Sequence, residues 1–158
     1  MSVLEIDIAR TAQEREALFA LRMQVFVQEQ HVPEEEEIDA CDQTATHFVI
    51  RCSPPPPDYP AGVIGTARLI NKGENTGKIG RVAVAAAFRR MGAGTRLMQF
   101  IEAYAREQGL CRLVLDAQCA VIPFYERLGY TAEGDVFIDA GIEHRFMYKD
   151  LTTSREVS

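Results

Sequence analysis

Arg89, Arg90, Gly92 and Gly94, in "RRMGAG", put two guanidinium groups and two glycines between a strand-like stretch and a helix-like one. A helix N-terminus leaves backbone amides without partners and carries partial positive charge, and a glycine lets an anion approach the chain. Arg96 adds a third cation one residue past Thr95. The pattern points to phosphate binding, against the plainer reading of turn-forming glycines and solvated arginines. Three phosphate ligands can be compared. A nucleotide-triphosphate loop needs a lysine and then Ser or Thr after its last glycine, whereas Gly94 is followed by Thr95 and Arg96. A dinucleotide turn would use Gly92 and Gly94 with Asp116 on the ribose, but Leu97 stands where its third glycine belongs and two arginines precede the glycines. Coenzyme A fits better than either.

The elements that position this turn follow from periodicity. "VLEIDI" alternates as a strand, and Thr11 with Glu14 forms a capping-box pattern opening a helix to about Glu29, with Leu18, Leu21 and Val25 on one stripe. Pro33 ends it. "PEEEEIDACD" reads as a solvated acidic loop, able to attract a cation through Glu34 to Glu37. "THFVIRC" and "AGVIGTARLI" read as strands of a hairpin joined by the stiff connector "SPPPPDYP". "KIGRVAVAAAF" is a strand leading into the turn, and the helix beyond it carries Leu97, Ile101, Tyr104 and Ala105 until Gly109 stops it. "CRLVLDA" is apolar enough to be buried on both faces beside a parallel neighbour, which predicts a right-handed strand–helix–strand crossover. A short helix at Phe124–Leu128 ends at Gly129, two strands follow through Ala140 and Gly141, and "TTSREVS" reads as a frayed tail. The expected architecture is one α/β domain over 1–151, with a mixed, mainly antiparallel sheet carrying helices on both faces.

With that order in place, Arg89, Arg90, Met91, Gly92, Ala93 and Gly94 match the pattern Gln/Arg-x-x-Gly-x-Gly/Ala of the GNAT family of N-acetyltransferases. "FYERLGY" resembles that family's later motif, with Tyr125 in the position of its catalytic tyrosine. The stretches "LRMQVFVQEQHVPEEEEID", "THFVI", "DAQCAVIPFYERLGY" and "GIEHRFMYKDL" are similar to its ElaA/YjcF-like branch. The resemblance covers nearly the whole chain. It implies that the strands at 78–85 and 110–116 splay apart and that pantetheine lies in the gap, bonded to the backbone of Val82, Ala83 and Val84. It further implies that amides from Arg89 through Gly94 and at Thr95 wrap the pyrophosphate of acetyl-CoA, the expected cosubstrate.

Acyl transfer to an amine needs a neutral amine, a donor for the tetrahedral oxyanion and a proton for the departing thiolate. A backbone amide near Val84 suits the second need, and Tyr125 as general acid suits the third; the alternative for Tyr125 is an aromatic core position. Four residues are candidate bases, Glu29, His47, Asp116 and His144, each with a structural alternative as cap, ion pair or satisfied histidine. The acceptor is expected to be a small-molecule primary amine, such as an amino sugar or a polyamine, with a protein lysine and a coenzyme-A-binding regulatory module as the rival readings.

Composition narrows the partners. The chain has 158 residues, enough for one core, and a formal net charge of −6, which works against nucleic-acid binding. Cys41, Cys52, Cys111 and Cys119 show no metal-ligand or disulfide spacing, so free thiols and no metal are expected. No apolar run is long enough to cross a bilayer and no leader is recognisable, so a soluble, cytoplasmic protein without membrane contact is expected. A homodimer is left open.

Overall fold

A computed structural model describes residues 2–151; the expected tail at 152–158 lies outside the described residues. Seven strands form one sheet: β1 (Val3–Ile8), β2 (Thr46–Ser53), β3 (Val63–Gly73), β4 (Thr76–Val84), β5 (Arg112–Gln118), β6 (Thr131–Asp139) and β7 (Ile142–Asp150), in the order β1-β2-β3-β4-β5-β7-β6. The pairs β1–β2, β2–β3, β5–β7 and β6–β7 are antiparallel, and β4–β5 is parallel. Helices lie on the faces of the sheet. They are α1 (Ala12–Arg22), which continues as a π-helix over Met23–Glu29, then α2 (Glu34–Glu37), α3 (Ala93–Glu107) and α4 (Ile122–Arg127). Among the described residues no helix is long and apolar enough to cross a membrane.

Contacts divide the chain into two compact units, one made of the chain up to Leu69 with Arg81–Ile101, the other of Ile70–Gly80 with the chain from Glu102 onward. Leu18, Leu21, Phe48, Ile50, Ile64, Leu97, Met98 and Ile101 are buried in the first. The stripe on α3 is what helical spacing demands, since Leu97, Met98, Ile101 and Ala105 are all fully buried. In the second, Ile79, Leu113, Leu115, Tyr130 and Met147 are buried.

Local chemistry explains the element ends. The Thr11 hydroxyl accepts from the Glu14 amide at 3.1 Å and caps α1. After α3, Gly109 takes a left-handed φ of +80°, and the Leu110 amide returns to the Ala105 carbonyl at 2.9 Å, closing the helix end. Ala140 and Gly141, at φ +51° and +77°, make the tight turn between β6 and β7.

Two expectations are corrected. β5 is not buried on both faces: Leu113, Leu115 and Ala117 are buried, while Val114, Asp116 and Gln118 are half-buried and Arg112 is exposed. Its partner over the full length is antiparallel β7, and β4 covers it only from Arg112 to Val114. The acidic run is not a simple solvated loop either. It folds into α2 and a 3₁₀ turn at Ala40–Gln43, and Glu37 and Asp42 are buried within it.

Candidate active site

The parallel ladder between β4 and β5 runs only from Thr76↔Arg112 to Lys78↔Val114, although β4 continues to Val84 and β5 to Gln118. At its end the Lys78 ammonium pairs with the Asp116 carboxylate at 3.0 Å. Three residues later Arg81 takes φ +54°, a left-handed conformation that a side chain with a Cβ adopts only at a cost.

Val84 ends β4 and is tied down at its carbonyl, which accepts from Arg89 Nε at 2.8 Å. The same guanidinium pairs with Glu29 at 2.9 Å. In the turn that follows, Arg90 and Gly92 are left-handed at φ +64° and +77°, and α3 starts at Ala93 with the Arg96 amide donating to the Gly92 carbonyl at 3.0 Å. A Cβ added at Gly92 would meet nothing within 4 Å, so the space beside the turn is open. The three arginines do not share one task. Arg89 serves Glu29 and Val84, Arg96 donates to the Leu4 carbonyl at 3.2 Å, and exposed Arg90 enters none of these contacts. Met91 is exposed, Ala93 is buried, and Gly94 and Thr95 are half-buried.

Tyr125 lies on α4 and is 7 % exposed, with its ring edge-on to Phe124 and Tyr130 at centroid distances of 5.0 and 6.0 Å. Burial pushes its phenol up to about 12, so it stays protonated at neutral pH. Tyr130 behind it donates to Glu102 at 2.9 Å, and Glu102 also holds Lys149 at 3.0 Å.

The candidate bases sit in different settings. Glu29 is committed to Arg89 and Asp116 to Lys78. His47 is buried on β2, its Nε2 2.9 Å from the Asp42 carbonyl and its Nδ1 without a hydrogen-bond partner, and burial holds the imidazole below its ordinary value. His144 is half-buried on β7, opposite Gln118 of β5, and stacks on Phe137 at 5.8 Å. Its Nδ1 is 2.7 Å from the Ile142 carbonyl. A carbonyl only accepts, so Nδ1 carries the proton and Nε2 keeps the lone pair of the neutral ring.

Sequence reasoning missed a buried ionic network. Arg22, at the end of α1, reaches Glu37 at 2.9 Å and Asp42 at 2.7 Å, and all three side chains are almost wholly buried. Arg68 joins Asp39 at 2.8 Å and Asp42 at 2.9 Å, and Arg81 joins Glu37 at 2.9 Å. Asp42 is held well below the usual carboxylate range: its bonds from Arg22 and Arg68 outweigh its burial. Glu37 goes the other way, because burial outweighs the pull of Arg22 and Arg81. The available signal was Arg22 itself, a lone arginine within an apolar helical stripe. A guanidinium placed there must find carboxylates nearby. Among the described residues no group of three or more His, Cys, Asp or Glu is arranged to hold a metal ion.

A short parallel ladder leading into an arginine–glycine turn and a helix is the frame of an acyl-CoA N-acyltransferase. The chain belongs to the acetyltransferase (GNAT) family, whose sequence model matches residues 15–130. The uncharacterised N-acetyltransferase YjcF of Bacillus subtilis is 35% identical over 144 residues, covering 90% of this chain and 97% of that protein. Among solved structures, an acyl-CoA N-acyltransferase from Pseudomonas aeruginosa is 27% identical with a TM-score of 0.77, covering 94% of this chain and 99% of that one. Escherichia coli ElaA shares the fold at a TM-score of 0.77 and 24% identity, again covering 94% of this chain and 99% of the other. These likenesses set the chain in the ElaA/YjcF-like branch.

Proposed function

We propose that the protein transfers an acetyl group from acetyl-CoA to a primary amine of a small molecule, by direct attack. The observation that carries the reading is the turn at 89–94: in a family that uses acyl-CoA, it keeps a left-handed glycine with open space beside it at the start of a long helix. In this reading the amides of Arg89 to Thr95 hold the pyrophosphate, and the exposed guanidinium of Arg90 adds charge. Val82, Ala83 and Val84 offer backbone groups to the pantetheine amides. The Val84 carbonyl is taken by Arg89, which leaves the Val84 amide to serve the oxyanion.

Acetyl-CoA supplies an activated thioester. His144 Nε2 takes the proton from the ammonium form of the acceptor, the amine nitrogen attacks the thioester carbonyl, the carbon–sulfur bond breaks as the thiolate receives a proton from Tyr125, and the second proton that the nitrogen sheds on becoming an amide restores the Tyr125 phenol. Burial makes the Tyr125 phenol a weaker acid, yet the same dry surroundings make a thiolate beside it a stronger base, so the transfer remains matched. Exposed Glu34, Glu35 and Glu36 favour a cationic acceptor such as an amino sugar or polyamine.

The test is a thermal-shift comparison of acetyl-CoA, NADH and ATP, followed by thiol release with an amine panel. Acetyl-CoA at about a hundred times its Kd is expected to stabilise the fold by about 2.7 kcal/mol, with no shift from the other two. Stabilisation by NADH instead would move the turn to a dinucleotide. Stabilisation by acetyl-CoA without amine-dependent thiol release would make the chain a binding module.

A further inference from the structure

The four residues Arg81 to Val84 are tied at both ends to one helical segment. Arg81 Nε lies 2.9 Å from Glu37 Oε1 and donates to the Glu37 carbonyl at 3.1 Å, while Arg81 Nη2 reaches the Glu36 carbonyl at 3.3 Å and Asp39 Oδ2 at 3.5 Å. Glu37 in turn holds Arg22, the last residue of α1, through its other carboxylate oxygen at 2.9 Å and through its carbonyl at 2.8 Å. At the far end, Val84 is linked through Arg89 to Glu29, the last residue of the π-helix that continues α1. The stretch thus hangs from both ends of Arg22–Glu29. The residue at its start is an arginine in a left-handed conformation, within a strand, at a position where a glycine would carry no steric cost.

We propose that the Arg22–Glu37–Arg81 chain of ion pairs is a positioning device that holds the left-handed kink at Arg81, and through it the acyl-CoA-facing backbone of Val82 to Val84. The acidic run thereby acts in cosubstrate binding through its one buried glutamate, while its exposed glutamates face solvent. This rests on the proposed role of the 82–84 backbone. A left-handed residue inside a strand turns the peptide groups next to it, so the direction of those that follow Arg81 depends on the kink being held. Free coil would not choose it: a residue with a Cβ disfavours left-handed φ, and the two carbonyl and two carboxylate groups gathered around one guanidinium reverse that preference. Burial keeps water from competing, since the Glu37 side chain is 1% exposed and that of Arg81 27%.

The test compares Arg81→Gly with Arg81→Ala, using calorimetric binding of coenzyme A to the full chain. Both remove the tether and leave Glu37 paired with Arg22, so neither leaves an unpaired buried carboxylate. They differ only in the Cβ, and hence in the ease of left-handed φ. Arg81→Gly is expected to bind within about threefold of the wild type, and Arg81→Ala to lose about tenfold or more, the order of the left-handed preference of glycine. Melting curves confirm that both variants are folded. Equal affinity of wild type and both variants overturns the positioning role and leaves the functional reading intact, as does an equal loss in both, which would assign the effect to the guanidinium itself. A wild type that binds no coenzyme A overturns the functional reading and this proposal with it.

Discussion

Replacing Gly92 by alanine separates the two demands made on the turn. Its φ of +77° belongs to the left-handed region, so any Cβ there costs on the order of 1 kcal/mol of folding free energy. No second cost arises, because the added Cβ would meet nothing within 4 Å. For a chain of this size, about 1 kcal/mol lowers Tm by roughly 2–4 °C. Ligand binding should suffer far more. The methyl group occupies the space through which a pyrophosphate oxygen would approach the amides, and losing even one hydrogen bond to a charged oxygen is worth about 1.5–3 kcal/mol. Coenzyme A affinity is therefore expected to fall roughly tenfold to a hundredfold in titration calorimetry, while the melting temperature moves only a few degrees. Gly92→Trp should abolish measurable binding with a similar small change in Tm. An alanine variant that binds coenzyme A as tightly as the wild type would refute the pyrophosphate assignment.

Three further outcomes follow from the geometry. Tyr125→Phe keeps the ring contacts with Phe124 and Tyr130 and removes one oxygen, so turnover is expected to drop about tenfold to a thousandfold with acetyl-CoA affinity unchanged; wild-type turnover where chemistry limits the rate would reduce Tyr125 to a core residue. His47 is held below its ordinary value of 6.5 by burial, so the folded chain keeps it neutral where the unfolded chain protonates it. Its contribution to stability is present above about pH 6.5 and is lost as pH falls, at up to about 1.4 kcal/mol per pH unit. Urea midpoints between pH 7.5 and 5.5 should show that slope in the wild type and a flatter one in His47→Gln, and parallel profiles would contradict it. Reversing Glu34, Glu35 and Glu36 to lysine should raise the KM of a cationic acceptor roughly threefold to tenfold at low salt and leave that of acetyl-CoA alone, the difference fading as salt screens it. Glu37 must be left out of that experiment, because Arg22 and Arg81 depend on it.

Periodicity made most elements legible, since a strand or helix with one buried face advertises it every second or every third to fourth residue. β1, α1 and α3 lie where "VLEIDI", Thr11 and the Leu97–Ile101–Ala105 stripe place them. Even so, the capping box is only half formed. Thr11 caps the Glu14 amide, but the Glu14 carboxylate takes the Arg10 amide at 3.2 Å and the Arg51 guanidinium, a partner on β2 that local sequence cannot reveal. How long two strands stay paired is equally hidden. The β4–β5 ladder stops at Lys78, and the kink that follows is at Arg81, where no glycine announces it.

Charge is where local reading fails, for a physical reason. Four successive glutamates share one composition, yet the solvation of each depends on cations that the chain brings from elsewhere, and Glu37 meets Arg22 fifteen residues before it and Arg81 forty-four residues after it. The same holds for the turn. Arg89, Arg90 and Arg96 are alike in charge, but a guanidinium already bonded to a carboxylate has little field left for a phosphate, so Arg89 shapes the end of β4 while Arg90 remains open to a ligand. A buried ion pair gives weak net stabilisation compared with a well-packed apolar core. Its retention at Glu37 is better explained by what it holds in place, a backbone conformation that apolar contacts, being non-directional, would not select.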